Sequence, residues 1–228
     1  MNVLSSPLIS FFNIIINGLT AIGVTNLSWN YFLSIFIFTL IIKSVLLPLT
    51  IKQTRTTVKT AELQPKLKEL QAKYKNDPKI LQQKQMEMYK ENGANPIMGC
   101  LPLLVQFPVF MAMYAVIYHF KGFEHVGFLW VHSLASPDKT FILPILSGLS
   151  TYVSMLIMQP KGNDPSVKTQ KQMSIFMSAF SVYIGFKFKS GLVLYWVIGN
   201  VIQLLQQYFI IGKIRKQEEE KLKLKLVK

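Results

Sequence analysis

The residue whose chemistry stands out is Lys43, a lysine inside an otherwise apolar stretch that runs from Tyr31 to Pro48. An ammonium group in hydrocarbon costs at least ~2.5–3.5 kcal/mol at the middle of a helix, so it needs water, a polar partner or a route to the membrane surface. Position alone leaves two explanations open. Either the lysine stem reaches towards the membrane boundary marked by Lys52, or the ammonium lies in a hydrated groove.

Uncharged polar side chains recur at helical spacing in the other apolar segments. Taken one helix at a time, such residues serve close helix packing and hydrogen bonds between helices. Because several segments carry them together with a buried lysine, we favour a water-filled groove within the membrane, which satisfies polar groups without a dense hydrogen-bond network. The residues predicted from their positions to line this groove are Lys43, Gln106, Ser147, Ser150, Thr151, Ser154, Ser178, Asn200 and Gln203.

Other reactive side chains are few and scattered, which argues against a catalytic or metal site. Cys100 is the only cysteine, so the chain cannot form an intramolecular disulfide. The histidines His119, His125 and His132 are too widely spaced to share one helical face. The sequence has no glycine-rich phosphate loop, nucleophile elbow or paired-carboxylate motif. We therefore expect a protein that is not an enzyme and that needs no cofactor and no metal ion.

Composition places the chain in a membrane. Half of its 228 residues are hydrophobic and only 16% are charged, and the apolar residues form blocks too long for the interior of a soluble domain. The net charge of +14 comes from basic residues that flank those blocks, where anionic lipids attract them. We therefore expect anionic lipids as partners, and no DNA.

The alternation of apolar and polar segments predicts an all-α membrane protein with five transmembrane helices around the hydrophilic groove. The predicted spans are Tyr31 to Leu49, Ile97 to Phe120, Phe141 to Met158, Gln172 to Phe186 and Gly191 to Ile211. The predicted organisation is an N-terminal interfacial amphipathic helix and linker (1–30), the first transmembrane helix (31–52), a cytoplasmic helical hairpin (53–95), transmembrane helices two to five (96–212) and a basic cytoplasmic tail (213–228) that is partly disordered.

The N-terminal segment from Val3 to Ile22 carries no charge but has a polar stripe at helical spacing. This pattern is typical of a helix that lies in the membrane interface rather than crossing it. No basic residue precedes the apolar run, so we expect the segment to be retained rather than cleaved as a signal peptide. The polar residues of the stripe are Ser6, Ser10, Asn13, Asn17 and Thr20.

The segment from Gln53 to Asn95 is strongly charged and has an amphipathic helical period, which predicts the cytoplasmic hairpin. Pro65 predicts a break in its first arm, and Lys75 to Pro78 predicts the turn between the arms. With the N-terminus outside, the predicted cytoplasmic segments hold 20 of the 25 Lys and Arg residues. This bias favours a membrane protein whose hairpin and C-terminus are cytoplasmic.

Several motifs resemble the YidC/Oxa/Alb family of membrane protein insertases, in the short bacterial form that lacks a large periplasmic domain. The resemblance covers essentially the whole chain, and its most specific part is a proline-glutamine-proline block in the second span. The matching stretches are Leu46-Leu47-Pro48-Leu49 after the embedded basic residue, Glu62-Leu63-Gln64-Pro65 in the hairpin, Asn95-Pro96 with the run from Gly99 to Phe110, and Leu194-Tyr195-Trp196 with Asn200.

The resemblance implies an insertase and chaperone that inserts and helps fold nascent membrane proteins, alone or with the Sec translocon. It also implies the ribosome as a partner, and a groove that is open to cytoplasm and lipid. Lys43 matches the basic residue that attracts the hydrophilic end of an incoming chain, a position where most bacterial members have arginine. Tyr195 and Trp196 are expected to line the client's path, with ordinary aromatic packing as the alternative.

Two other functions are compatible with a polar cavity in a membrane. A small-solute or proton transporter would use the same cavity, but the sequence shows no inverted repeat and no membrane-embedded carboxylate. An assembly chaperone without insertion activity would expose the same apolar surfaces, and sequence does not separate it from an insertase.

Overall fold

The structure, a computed structural model, describes residues 2–94, 101–158 and 165–226. Within these ranges it is helical and has no β-strand. The helices are α1 (Asn2–Ala21), α2 (Leu27–Glu62), α3 (Gln64–Lys73), α4 (Pro78–Glu91), α5 (Leu101–His119), α6 (Ile142–Met158), α7 (Pro165–Lys187), α8 (Ser190–Gln206) and α9 (Gly212–Leu226). A π-helical turn, Gln207–Ile211, joins α8 to α9. The predicted all-α class is confirmed for these ranges, while the predicted start of the second span at Ile97 lies outside them.

The described chain divides into two compact units. The first unit comprises residues 1–45 and 107–205, and the second comprises residues 46–106 and 206–228. The first unit therefore contains α1, most of the apolar part of α2, most of α5, and α6 to α8. The second contains the charged end of α2, α3, α4 and α9.

A tight turn joins α1 to α2. Gly23 ends α1 with a φ of +96°, a conformation that glycine adopts without the steric cost other residues pay. Asn26 then begins α2, because its side-chain oxygen accepts a hydrogen bond from the backbone N–H of Trp29 at 3.2 Å. As a result α2 begins at Leu27, inside the linker that the sequence predicted to extend to residue 30.

Helix α1 is amphipathic, as its polar stripe predicts. Its apolar face is buried in the first unit, where the Phe12 ring lies edge-on to Phe38 of α2, with 6.0 Å between centroids. The exposed face carries the polar residues Ser6, Ser10, Asn17 and Thr20. That α1 lies in the membrane interface stays a prediction.

The loop between α5 and α6, residues 120–141, is bonded to the start of α8. The backbone N–H groups of Ser190 and Gly191 donate to the carbonyl oxygens of Ser136 and Leu134 at 2.8 and 2.9 Å. The same loop provides the cap of α6 through Asp138, described with the site below. These bonds fix the ends of α6 and α8 against each other.

Helices α6 and α7 approach closely at a glycine. A Cβ added to Gly185 would lie 2.7 Å from the Cα of Pro144 and 3.3 Å from the Oγ of Ser147. The absence of a side chain therefore brings the α7 backbone against α6, which is how small residues act at contacts between membrane helices.

In the second unit, α2 continues without interruption to Glu62, so the first predicted span and the start of the hairpin are one helix of 36 residues. The break comes at Leu63, and Pro65 occupies the first turn of α3, where its missing N–H costs nothing. Asp77 caps α4 by accepting a hydrogen bond from the backbone N–H of Ile80 at 3.1 Å. The small core of this unit is formed by Leu63, Leu67 and Ala94, with Met88 and Tyr89 packed against it.

The C-terminal segment differs from its prediction. The tail was expected to be partly disordered, but α9 extends from Gly212 to Leu226. The reason is its composition: lysine, glutamate, glutamine and leucine are all strong helix formers, and the segment continues directly from α8 and the π-helical turn.

Two helical stretches among the described residues are long and apolar enough to cross a bilayer, Leu27–Thr60 and Ser190–Ile210. Three further apolar stretches are shorter, Ser6–Ala21, Val105–His119 and Ile142–Ile157. Helix length and composition are consistent with a membrane protein, and the count of five spans remains a prediction.

Candidate functional site: a polar face on α8 between α2 and α6

Helix α8 places its polar residues on one face. Trp196, Asn200 and Gln203 follow at intervals of four and three residues, which puts them on the same side of an α-helix. Residues on the other side, including Ile198 and Ile202, are buried in the hydrophobic core of the first unit. The sequence pattern thus rotates α8 so that a tryptophan, an asparagine and a glutamine face neighbouring helices together.

The centre of the polar contact between α6 and α8 is the hydroxyl of Thr151. It accepts hydrogen bonds from the indole N–H of Trp196 at 2.9 Å and from the side-chain amide of Asn200 at 3.0 Å. It donates to the carbonyl oxygen of Ser147 one turn earlier at 2.7 Å. All of the hydrogen-bonding capacity of this hydroxyl is therefore used by protein groups.

Two serines of α6 extend the contact with Asn200. The Asn200 amide also donates to the hydroxyl of Ser150 at 3.0 Å, and Ser150 in turn donates to the carbonyl of Ser147 at 3.1 Å. One turn further along α6, the hydroxyl of Ser154 donates to the backbone carbonyl of Asn200 at 3.4 Å. A single asparagine therefore bonds three of the four hydroxyl residues predicted on α6.

The fourth hydroxyl, that of Ser147, joins α6 to α7. It lies 2.7 Å from the carbonyl of Pro144 and 3.0 Å from the carbonyl of Ser181, which places it between two acceptors. The Ser181 hydroxyl lies 3.2 Å from that of Thr151. Ser181 was not among the predicted site residues, although it follows Ser174 and Ser178 at helical spacing, the same signal that identified the others.

Lys43 lies on α2 and reaches the same face of α8. Its ammonium donates a hydrogen bond to the side-chain oxygen of Gln203 at 3.0 Å. A Cβ added to Gly199 would lie 3.7 Å from the Cε of Lys43 and 3.8 Å from the Cγ2 of Thr39. The lysine stem therefore runs past a glycine on α8 and ends at a glutamine one turn further on. Neither Gly199 nor Thr39 was among the predicted site residues.

The sequences of the helical segments in the first unit contain no acidic residue. In the sequence, Asp and Glu are absent from residues 1–61, 97–123, 139–163 and 165–217, which include α1, α5 to α8 and the part of α2 in the first unit. The Lys43 ammonium is bonded to a neutral amide oxygen, and it places a positive charge at the polar face of α8. Such a charge attracts anionic groups, and in a low dielectric it does so strongly.

Two predicted site residues, Ser178 and Tyr195, have other surroundings within the first unit. The Ser178 hydroxyl donates to the carbonyl of Ser174 in its own helix at 2.7 Å. Tyr195 is only 2% exposed and belongs to the hydrophobic core, which favours aromatic packing over a position on an open surface. Gln106 belongs to the second unit, so its place in a common site with Lys43 stays a prediction.

One cleft borders the polar cluster, and a second is lined by none of the cluster's residues. One, beside Ser147, Ser181 and Trp196, holds only about 20 Å³ of space for a water-sized molecule, enough for roughly one water. The other is larger, about 490 Å³, and is lined only by apolar surface from α2, the α5–α6 loop, α6 and α8. The hydroxyls near the first cleft are satisfied mainly by protein groups. The wide hydrophilic groove expected from the sequence remains a prediction.

A carboxylate outside these helices holds the start of α6. Asp138 accepts hydrogen bonds from the backbone N–H groups of Thr140 and Leu143, both at 2.9 Å, and from the Thr140 hydroxyl. Burial acts to raise the pKa of the Asp138 carboxyl, but these hydrogen bonds to its charged form outweigh burial and hold the pKa below its usual value. The residues that the structure describes contain no group of three or more His, Cys, Asp or Glu that could hold a metal ion.

Comparison with known proteins gives consistent matches. Residues 23–218 match the family model described as 60Kd inner membrane protein. The membrane protein insertase YidC of Clostridium tetani is 45% identical over 206 residues, which cover 90% of this chain and 92% of that protein. The YidC of Clostridium perfringens is 42% identical over 235 residues, covering 98% and 99% of the two chains.

The fold also matches a solved structure. A crystal structure of an active YidC insertase, with its first transmembrane domain resolved, superposes with a TM-score of 0.67 at 29% sequence identity. The match covers 88% of this chain and 46% of the other, so this chain corresponds to less than half of the crystallised protein. Sequence and fold comparisons therefore agree over most of the present chain.

Proposed function

We infer that this chain, which belongs to the family of the 60Kd inner membrane proteins and YidC membrane protein insertases, is itself a membrane protein insertase that helps nascent membrane proteins enter the bilayer. The observation that carries the mechanism is the Lys43 ammonium, held by Gln203 on the polar face of α8 among otherwise apolar helices. A positive charge held among membrane helices indicates a functional site, and it would bind a polar or anionic part of a substrate.

We propose the following arrangement in the membrane. Five transmembrane segments, within α2, α5, α6, α7 and α8, enclose a hydrophilic groove, and α1 lies in the interface at the outer face. The hairpin of α3 and α4 and the C-terminal α9 are cytoplasmic. The distribution of basic residues supports this orientation, since 20 of the 25 Lys and Arg fall in the segments assigned to the cytoplasm.

The groove would act by lowering a desolvation cost. A client's hydrophilic end loses water on entering hydrocarbon, and each unsatisfied polar group then costs several kcal/mol. Lys43 and Gln203 offer substitutes for that water, and the ammonium favours acidic ends in particular. Burial of the client's ~20 apolar residues in lipid supplies the driving force. The mechanism uses no nucleotide, metal or covalent step.

The cytoplasmic surface suggests how clients arrive. The segment from Gln53 to Asn95 carries nine Lys and Arg against five Asp and Glu, and α9 is similarly basic. Basic surfaces of this kind bind anionic lipid headgroups and ribosomal RNA. We propose that the ribosome delivers nascent chains at this face, and that the insertase works either alone or beside the Sec translocon.

Reconstitution tests the proposal. The purified chain is incorporated into liposomes that contain anionic phospholipid, and a small single-span client is added, with protein-free liposomes as the control. An insertase protects the client's translocated tail from added protease. Absence of protection refutes the proposal. Leakage of a solute or protons without tail protection would favour a transporter instead, and protection of the client from aggregation alone would indicate an assembly chaperone.

A further inference from the structure

The larger cleft of the first unit, which we call the apolar slot, has a volume of about 490 Å³ and extends along three helices. Its lining residues on α2 and on α8 recur at helical spacing over seven residues of each helix, which corresponds to about 10 Å along the axis. Leu143 and Leu146 of α6 also line it. The lining residues on the other two helices include Trp29, Phe32 and Phe36 of α2, and Leu194, Val197 and Val201 of α8.

The end of the slot beside the α5–α6 loop has an aromatic rim. The Phe128 ring stacks on Phe32 with 4.3 Å between centroids and lies edge-on to Trp29 at 5.3 Å. Phe128 and Val131 exchange two backbone hydrogen bonds of 2.9 Å, and the turn between them holds Leu129 at a φ of +53°, which is unfavourable for leucine. Leu129 is nevertheless 70% exposed and Trp29 50% exposed. Exposed apolar side chains around an opening indicate that it faces lipid, and tryptophan is typical of the membrane interface.

The walls of the slot select a hydrocarbon occupant. They present only apolar surface, so a polar segment entering the slot would lose its hydrogen bonds to water without replacing them. A volume of about 490 Å³ over about 10 Å gives a cross-section of about 50 Å², roughly half that of an α-helix with its side chains, which is 10–12 Å across. A transmembrane helix of a client is therefore too wide for the slot, whereas a hydrocarbon chain fits, and apolar cavities stay dry and bind apolar molecules.

A basic residue marks the same end of the slot. The Asp138 carboxylate accepts a hydrogen bond at 2.9 Å from the backbone N–H of Leu143, which lines the slot. Lys139 follows Asp138 directly in the chain, and its side chain is exposed. A lysine at the membrane interface attracts the phosphate of a lipid headgroup. Apolar walls, interfacial tryptophan and a basic group at one end are together complementary to a phospholipid.

We propose that the apolar slot binds an acyl chain of a phospholipid from the outer leaflet, with the headgroup at the end marked by Trp29, Trp130 and Lys139. This inference rests on the membrane arrangement given under the proposed function. It assigns a lipid ligand to the contact between α2, α6 and α8, at a site whose lining includes none of the polar residues proposed to meet the client.

Retention of lipid tests the site. The full-length protein is purified in mild detergent and washed, and native mass spectrometry counts the phospholipid that stays bound, with one per protein expected. Leu146→Phe combined with Val197→Phe narrows the slot and should lower this occupancy about tenfold, because each displaced methylene group weakens binding about fourfold. Leu149→Phe combined with Val45→Phe is the matched control, since both residues are exposed and neither lines the slot. The control should retain lipid as the wild type does.

Two further measurements locate the bound lipid. Delipidated protein is loaded in detergent with one phospholipid per protein, brominated in its acyl chains, which quench nearby tryptophan. Trp196→Phe leaves Trp29 and Trp130 at the slot and should be strongly quenched, whereas Trp29→Phe with Trp130→Phe leaves Trp196, which does not line the slot, and should be quenched less. Lys139→Gln should lower retention of anionic phosphatidylglycerol relative to zwitterionic phosphatidylethanolamine about two- to fivefold.

The outcomes are distinct. Wild-type protein without retained phospholipid overturns the inference, and so does equal retention by the narrowed and control variants, which indicates adventitious lipid on the outer surface only. Equal quenching of the two tryptophan reporters also overturns it. An unchanged lipid ratio in Lys139→Gln overturns the position of the headgroup. Melting temperature in detergent identifies a narrowed variant that fails to fold, and the quenching comparison then decides. None of these measurements uses a client, so failure of insertion in liposomes is a separate result that overturns the proposed function.

Discussion

Replacing Thr151 by valine tests whether the polar contact between α6 and α8 is dry. Valine is close to threonine in shape, so the change removes a hydroxyl and leaves little cavity. The indole N–H of Trp196 then loses an acceptor at 2.9 Å, while Asn200 loses one at 3.0 Å but keeps Ser150. The main loss is therefore the acceptor of one part-buried donor.

The expected magnitude follows from that loss. A buried donor without a partner costs about 1–3 kcal/mol, but hydrogen bonds between membrane helices measured by double-mutant cycles average only about 0.6 kcal/mol and reach about 1.7. Removing the hydroxyl also removes the free energy that folding spends on desolvating it. We therefore expect Thr151→Val to lower the free energy of unfolding by about 1–2 kcal/mol.

Titration with SDS in mixed micelles, followed by circular dichroism, measures this free energy. Thr151→Ser is the matched control, since it keeps the hydroxyl and loses only a methyl group, and it should be closer to the wild type. A cycle with Trp196→Phe should give a coupling energy of about 1 kcal/mol. Equal stability of the valine and serine variants would refute the dry network, because water in a groove would then be replacing the threonine oxygen as acceptor.

Three further predictions concern charge, packing and pH. Lys43→Glu should impair the insertion of clients with acidic translocated tails more than that of clients with neutral tails, whereas Lys43→Arg should insert both. Protease protection in liposomes measures both effects. If Lys43→Glu inserts acidic clients as well as the wild type does, the role of the charge is contradicted. Gly185→Ala should destabilise the protein by about 1–3 kcal/mol in SDS titration, because its Cβ would lie 2.7 Å from the Cα of Pro144. Gly18→Ala is the control and should be neutral or stabilising, because a Cβ at Gly18 would have no neighbour within 4 Å. Equal effects of the two substitutions would contradict the close approach of α7 to α6. The pKa of Asp138 is lowered in the folded protein, so its contribution to stability is present above its unfolded pKa of about 3.9 and is lost as the pH falls through the folded pKa. In thermal unfolding, Asp138→Asn should be about 1 kcal/mol less stable than the wild type at neutral pH and should lack this acid-dependent loss of stability. A variant with the same pH profile as the wild type would refute the cap.

The sequence by itself determined most of the helices and their faces, but it missed the start of α2 at Leu27 and the helix α9. Apolar blocks, the proline at position 65 and the caps at Asn26 and Asp77 are local signals, and each acts within a few residues. The stripe on α6 and the polar face of α8 follow from the helical period alone. Motif resemblance to the insertase family, recognised from the residues, agrees with the matches of the whole chain to YidC proteins.

Only the tertiary structure decided which polar groups meet. The stripes of α6 and α7 look alike in sequence, yet Thr151 bonds Trp196 and Asn200 of α8, whereas Ser178 bonds only within its own helix in the contacts described above. The pairing of Lys43 with Gln203 likewise joins α2 to α8 across 160 positions. Helical period fixes the face of a residue because it is local. Its partner depends on how each helix is rotated and shifted against its neighbours, and that is set by the packing of all their side chains together.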